Sequence, residues 1–217
     1  MNFFSTENIL FTIGVQQISW LEFFTTISGL ACVFLASRGR SANFFVGYFY
    51  TLLLFLLFMQ KQLYSSMLLQ PVSLGLAIFG HYRWTHPKTD EEKNKQRELR
   101  VTTLSNKRRI SHIALIIAGG IVWGFILSKL GSIFPDLKPA RLPFLDATIT
   151  MCILTAQYLS AQKKLECWAA WLVVNVTNLT LYLLSGLIFM PAVCICYIVF
   201  AITGIATWRK EMKNDVK

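Results

Sequence analysis

Acidic residues are scarce in this 217-residue chain, with 11 Asp and Glu against 21 Lys and Arg and a formal net charge of +10. Only Glu22 and Asp146 fall clearly inside apolar runs, each near the end of its run. The chain therefore lacks the ladder of buried carboxylates or histidines that a proton relay needs. Its three histidines, His81, His86 and His112, lie near run boundaries, where surface positions are expected. It has no phosphate-binding glycine loop, no His-Glu-x-x-His, and no Ser or Cys nucleophile with a placed His, so ATP coupling and hydrolysis have no support. The five cysteines (Cys32, Cys152, Cys167, Cys194 and Cys196) fall mostly within apolar runs and have no His partner. They read as small buried hydrophobes rather than a metal or redox site. No resident cofactor or metal is expected.

Apolar residues, by contrast, make up 54% of the chain, and the mean hydropathy is +0.50. That excludes an ordinary soluble domain. Seven runs are long enough to cross a hydrocarbon core: 20–37, 42–60, 64–84, 110–130, 144–161, 166–185 and 188–208. The expected fold class is an all-α polytopic membrane protein. Residues 1–19 have no basic leader and carry Glu7, unlike a cleaved signal peptide. With Phe3, Phe4, Ile9, Leu10, Phe11 and Ile13, a short N-terminal amphipathic helix at the interface is expected rather than an eighth span.

The two ends of the chain repeat one another. At an offset of 124 residues, Trp20–Trp84 lies over Phe144–Trp208 without a gap. Leu21/Leu145, Thr26/Thr150, Leu35/Leu159, Gly80/Gly204 and Trp84/Trp208 are identical, and Glu22 falls on Asp146. The predicted organisation is three plus one plus three: a first three-helix repeat over 20–84, a loop over 85–109, a linker helix over 110–130, a second repeat over 144–208 and a tail over 209–217. The linker crossing inserts both repeats the same way round, so they are expected to be parallel.

Cations set the orientation. Arg38, Arg40, the cations from Arg83 to Arg109, Lys163, Lys164 and those of the tail fall on one face; Lys61, Lys129, Lys138 and Arg141 fall on the other. The richer face, with the C-terminus, is predicted to be cytoplasmic. The positive charge is thus a topology signal and not a nucleic-acid footprint, since no basic stripe interleaves with exposed aromatics. The 85–109 loop reads as a solvated connector. Lipid bilayer is the expected surrounding partner.

Polar side chains in a membrane helix usually face a cavity or the bundle interior. Trp168, Trp171, Asn175, Asn178 and Tyr182 recur at steps of three and four, placing two indoles, two carboxamides and a phenol on one helix face. Such a face suits a flat, polar, uncharged or cationic ligand. Taken singly, Trp168 could be an interfacial belt residue and the asparagines inter-helix glue; together they read as a binding surface. The same face of the first repeat carries Phe44, Gly47, Thr51, Leu54 and Phe58, keeping aromatic ends without amides. Gln70, early in the third run, is the best inward-facing amide of that half, whereas Gln60 and Gln62 lie at a boundary. Pro71 and Pro191 can seed bends, and Gly80 and Gly204 permit close helix approach.

The motifs Gln60-x-Gln62-Leu-Tyr64-x-Ser66-x-x-Leu-Gln70, Phe-Gly80-x-Tyr82-x-Trp84, Pro-Phe144-x-Asp146 and Trp168-x-x-Trp171-x-x-x-Asn175 resemble the bacterial PnuC family of nicotinamide riboside transporters. The resemblance covers nearly the whole chain. It implies a fold related to the SWEET sugar carriers, a homotrimer in the cytoplasmic (inner) membrane, and facilitated diffusion of nicotinamide riboside. It also implies trapping of the product by a cytoplasmic kinase. Carried onto this chain, Trp171 and Tyr182 would stack on the pyridinium, while Asn175, Asn178 and Gln70 would hold the carboxamide and hydroxyls. Trp168, Phe58 and Thr51 would complete the lining. Sister groups that carry thiamine or riboflavin are similar enough to remain alternatives. A membrane-embedded nucleoside-modifying enzyme and a non-transporting subunit are readings from other classes.

Overall fold

The computed structural model describes residues 5–14, 16–61, 64–89, 92–94, 98–133 and 142–215. Among them, a two-stranded antiparallel hairpin, β1 (Ile9–Ile13) and β2 (Gln16–Ser19), precedes seven helices. These are α1 (Trp20–Ser37), α2 (Asn43–Gln60), α3 (Tyr64–Thr85), α4 (Asn106–Ile133), α5 (Pro143–Ala161), α6 (Cys167–Leu184) and α7 (Phe189–Asn214). Six are long and apolar enough to cross a membrane. The exception is α3. Its 22 residues would reach about 33 Å, but Ser66, Gln70, Ser73, His81 and Arg83 dilute its apolar content.

Local chemistry fixes the helix ends. Ser19 caps α1 through a reciprocal box: its Oγ accepts the Glu22 amide at 3.2 Å, and its own amide donates to Glu22 Oε2 at 2.8 Å. Pro143 opens α5, where a missing N–H costs nothing. Gly39 lies just past the end of α1 with φ +68°, a conformation that a Cβ would penalise.

Three expectations are corrected. The N-terminal segment is a hairpin and not an amphipathic helix. Ile9, Phe11, Thr12 and Ile13 favour extended backbone, and Gly14 at φ +60° supplies the turn that a two-residue connection needs. Phe3 and Phe4, Gln62 and Arg141 lie outside the described residues. The 85–109 loop is not merely solvated: Leu99, Val101 and Leu104 are buried against the helix ends, and α4 starts four residues earlier than expected, at Asn106. The 209–217 tail is largely helical, because α7 continues to Asn214.

Packing runs round a ring. Helix α1 lies against α2, α2 against α3, α3 against α5, α5 against α6, α6 against α7, and α7 back against α1. Helix α4 packs on α5 and exposes Ile110, Ile117, Val122 and Phe125. Apolar residues facing outward round the bundle suit a hydrocarbon solvent.

At the cation-rich end, aromatic side chains close the ring. Phe44 meets Trp84 edge to face at 5.1 Å, Trp168 meets Trp208 at 5.4 Å, and the two tryptophans Trp84 and Trp208 meet at 5.8 Å. Gly80 and Gly204 make room for this layer. A Cβ on Gly80 would lie 2.8 Å from the Phe44 ring, and one on Gly204 would lie 2.6 Å from Trp168.

Candidate functional site

The stripe on α6 faces inward. Trp168 and Asn175 are buried, at 2% and 8% exposure, while Val173 and Val176 on the opposite face are 61% and 50% exposed. Trp171, Asn178 and Tyr182 are half-buried on the same inward side. Asn175 donates through Nδ2 to the Trp171 carbonyl at 2.8 Å. Gln70, also buried, donates through Nε2 to the Ser66 carbonyl at 3.0 Å. Thr51 Oγ1 donates to the Gly47 carbonyl at 2.8 Å. Each polar group is thereby anchored to the turn beneath it, and among the described residues no donor bonds the carboxamide oxygens of Asn175 and Gln70. Phe58 is half-buried on α2.

Trp168 is not at an interface belt. It lies in the aromatic layer, where its Nε1 is buried without a hydrogen-bond partner among the described residues. The stripe therefore runs from that layer at Trp168 toward the opposite end at Tyr182.

Several groups escaped the sequence reading. Tyr50 of α2 and Tyr197 of α7 both pack on Gly29 of α1, where a Cβ would lie 2.8 Å from the Tyr50 ring and 2.5 Å from Tyr197 Oη. His81, expected at the surface, is half-buried, bonded to the Tyr48 hydroxyl at 2.8 Å and stacked on Phe44. Lys163 is 1% exposed; its Nζ lies 2.9 Å from Glu211 Oε1 and 4.9 Å from the Trp84 ring centroid. Each is a single polar residue whose partner sits on a distant helix, so local spacing carries no signal for it.

Both ends of the ring are covered. At the end away from the cations, the hairpin reaches across. Gln16 Oε1 accepts the amides of Ile188 and Phe189 at 2.9 and 3.0 Å, capping α7, and Gln60 Oε1 accepts the Thr6 amide at 2.8 Å. Glu22 pairs with Lys61 at 2.8 Å there.

At the cation-rich end, the loop folds back. Leu99 donates its amide to the Trp84 carbonyl at 2.9 Å, and Leu165 donates to that of Thr102 at 3.0 Å. Arg83 grips both oxygens of Glu92 at 3.0 and 2.9 Å, and that bond holds the Glu92 carboxyl below its ordinary range. Burial, followed by the nearby Arg108, lowers Lys164, whose Nζ donates to Thr102 Oγ1 at 2.6 Å.

Two cavities open at this end. The larger, about 740 Å³, is lined by Arg38, Arg40, Thr207 and Lys210 among others; the smaller, about 100 Å³, by Arg83, Gln162, Lys164 and loop residues. Arg38 corresponds to Gln162, Arg40 to Lys164 and Arg83 to Thr207 at the 124-residue offset. The two cavities share these equivalent positions, and the loop lines both, through Asn94 and Glu98 in the larger and through Glu92, Leu99, Arg100 and Thr102 in the smaller. Neither is lined by the α6 stripe.

Known proteins resemble the chain along its whole length. The nicotinamide riboside transporter PnuC of Escherichia coli K12 is 30% identical over 99% of this chain and 97% of its own. The riboflavin/roseoflavin transporter RibM of Streptomyces davaonensis is 26% identical over 99% of this chain and 95% of its own. A crystal structure of the vitamin B3 transporter PnuC superposes with a TM-score of 0.69 at 21% identity, covering 90% of this chain and 83% of that one, and so shares its fold. Residues 19–210, nearly the whole helical ring, match the family described as nicotinamide mononucleotide transporter, and the chain belongs to that family of membrane transporters.

Proposed function

We propose that the chain takes up nicotinamide riboside by facilitated diffusion, alternating access around a site at the middle of the ring. The inward stripe of Trp171, Asn175, Asn178 and Tyr182 carries this reading. A flat pyridinium can lie against the aromatic faces, a contact worth about 0.5–2 kcal/mol, while Asn175 and Gln70 offer carboxamides to the substrate amide and ribose. The family description names the mononucleotide, but α2 and α6 contain no Lys or Arg. A phosphate moved out of water wants such a partner, so the riboside is the better fit.

Alternating access would come from two parallel three-helix units, α1–α3 and α5–α7, joined by α4. A matched pair of hydrogen bonds supports this. Trp84 Nε1 donates to the Ser160 carbonyl at 3.0 Å, and Trp208 Nε1 donates to the Ala36 carbonyl at 3.1 Å. Both donor and acceptor of one bond lie 124 residues from those of the other. Each unit thus grips the other through the same contact, as a two-fold axis along the membrane normal requires.

The cation-rich end, with the C-terminus, would face the cytoplasm across a bacterial inner membrane. A cytoplasmic kinase would there phosphorylate the arriving riboside and prevent its return. The family resemblance also implies a homotrimer, which native mass spectrometry of the detergent-solubilised protein would read directly.

The test is uptake of labelled nicotinamide riboside into proteoliposomes. Wild-type vesicles should fill to the external concentration with chemically unchanged riboside, and Asn175→Ala should insert normally and fail to transport. Normal uptake by Asn175→Ala would overturn the site. Uptake of riboflavin but not of riboside would keep the carrier and replace the substrate, an outcome to which the RibM likeness gives weight.

A further inference from the structure

We propose that the cation-rich end of the ring opens along one seam only: α1 parts from α7, while the seam between α3 and α5, strapped by residues 98–104, stays shut and acts as the hinge. The inference rests on the alternating-access reading above and names the side of the ring that moves.

Two seams separate the proposed units. Helix α3 meets α5 along one, and α7 meets α1 along the other. At the cation-rich end each carries the same bond, Trp84 to Ser160 on the first and Trp208 to Ala36 on the second. Those two bonds alone would let either seam open. What else crosses each seam decides between them.

The first seam is crossed by main chain. Leu99 donates its amide to the Trp84 carbonyl at the end of α3, at 2.9 Å. Three residues on, Thr102 joins the turn between α5 and α6: it donates to the Lys163 carbonyl at 3.2 Å and accepts from the Leu165 amide at 3.0 Å. Lys164 Nζ adds a bond to Thr102 Oγ1, and Glu166 Oε1 accepts the Leu104 amide at 3.0 Å. Leu99, Val101 and Leu104 are buried in the same cluster as Trp84 and Trp168. Parting α3 from α5 here would leave buried backbone groups without partners, a penalty that a rocking motion avoids by pivoting at the strap.

The second seam has no such strap. Among the described residues no backbone–backbone hydrogen bond crosses it at this end. The loop reaches it through side chains: Glu98 Oε1 accepts the Ser41 hydroxyl at 3.2 Å, and Asn94 Nδ2 lies 3.4 Å from Glu211 Oε1. Where the strap would lie there is instead the cavity of about 740 Å³, lined by Arg38 just past α1 and by Thr207 of α7.

The opposite end of this second seam is tied. Strand β2 runs directly into α1, and Gln16 holds the first amides of α7. Phe11 of β1 meets Phe23 of α1 and Phe189 of α7 edge to face, both at 6.2 Å. Helices α1 and α7 are therefore pinned together by the hairpin at one end and meet through side chains at the other. Splaying at the cation-rich end, with the hairpin and the strap as fixed points, is the rigid-body motion these contacts leave.

The experiment uses the 124-residue offset as its own control. Phe79 and Tyr158 stack across the first seam at 6.4 Å, and Phe34 and Thr203 hold the equivalent positions on the second. All four are exposed and lie outside the α6 stripe and the strap. In a Cys196→Ser background, which removes the one exposed native thiol, the double variants Phe34→Cys/Thr203→Cys and Phe79→Cys/Tyr158→Cys are joined by a short bis-methanethiosulfonate before reconstitution. Joining 34 to 203 should abolish riboside uptake, and dithiothreitol should restore it. Joining 79 to 158 should leave uptake intact. Equal loss from both, or loss from the 79–158 link alone, overturns the hinge and leaves the carrier standing.

A second measurement needs no cysteine and no transport. In detergent-solubilised protein carrying ¹⁵N-tryptophan, with Trp84→Phe and Trp208→Phe used only for assignment, the Trp208 indole proton should exchange with water faster than that of Trp84. Equal rates, or a faster Trp84, would refute the one-seam opening even if the double variants fail to fold. Wild-type vesicles that take up no riboside would overturn the transport reading instead, and the indole rates would still judge the seams.

Discussion

Lys163 is the side chain whose removal should cost this protein most for its size. It occupies the turn between α5 and α6 at φ +50°, a left-handed backbone that costs a non-glycine residue about 1 kcal/mol. It persists there because its ammonium is 2.9 Å from Glu211 Oε1 and 4.9 Å from the Trp84 centroid. Breaking a buried ion pair at one partner costs about 3–5 kcal/mol. Glu211 is 22% exposed and keeps an Asn94 contact at 3.4 Å, so the lower end applies, about 3 kcal/mol for Lys163→Met. Lys163→Gly should be about 1 kcal/mol milder than Lys163→Ala, since it relieves the backbone. Glu211→Gln added to Lys163→Met should cost under about 0.5 kcal/mol more, because the two charges act as a unit. Equilibrium unfolding in mixed micelles of rising SDS fraction measures all four variants. Strict additivity of the two substitutions, or a Lys163→Met cost under about 0.5 kcal/mol, would refute the assignment of a buried, energetically coupled pair.

Other substitutions test the remaining joints. Gly80→Ala places a methyl 2.8 Å from the Phe44 ring and 3.1 Å from the Ala161 backbone. It should destabilise by about 1–3 kcal/mol in the same unfolding assay, and a neutral result would show that α3 and α5 can separate freely. Gln16→Ala removes the cap on α7 and should cost about 0.5–2 kcal/mol, with faster hydrogen exchange confined to Ile188, Phe189 and the hairpin. Because Glu92 is held below the ordinary carboxylate value of 4.5 by its bond to Arg83, the loop clamp is fully present above that value and is lost as pH falls through the depressed one. Exchange protection at Leu99 and Val101, corrected for intrinsic rates, should stay flat from neutral pH down to that value and then fall. Glu92→Gln should abolish the dependence.

The helices were legible because hydrocarbon is an unforgiving solvent. A run that must satisfy its own backbone shows as an uninterrupted apolar stretch, and α1 spans the expected residues 20–37 while α2 and α5 differ from expectation by a single residue at one end. The α6 stripe was legible for the same reason: five polar or aromatic side chains at helical spacing stand out against Val, Leu and Ala. Where water or protein replaces hydrocarbon, composition misleads. The hairpin reads like an amphipathic segment because Ile and Phe supply apolar weight to either structure, and Gly14 alone favours the turn. The loop reads as solvated because its charges hide the apolar Leu99, Val101 and Leu104 that insert beneath Trp84. Tyr50 and Tyr197 stay invisible for a further reason: each is a phenol in an apolar helix, and what distinguishes them is packing on Gly29 of a third helix.

In the proposed two-unit arrangement, positions 124 residues apart share backbone contacts but not always side chains. Trp84 and Trp208 make interchangeable hydrogen bonds. Gly39 and Lys163 hold equivalent left-handed turns, so the backbone is conserved even where the side chain is not. Only one of those turns carries a charge that reaches Glu211, and the two cavities differ in size although the loop lines both. An exact two-fold would present two equal paths past the aromatic layer. Here the Arg83 side holds about 100 Å³ and the Arg38 side about 740 Å³. The larger cavity is lined by Arg38, Arg40 and Lys210 and equally by Glu98, Glu211 and Asp215, so charges of both signs face it. Neutralising Arg40 and Lys210 leaves Glu98, Glu211 and Asp215 to draw cations in, and should raise uptake of a cationic riboside relative to its uncharged reduced form if the path runs through this cavity. An unchanged ratio of the two uptakes, measured in the same vesicles, would remove the cavity from the path.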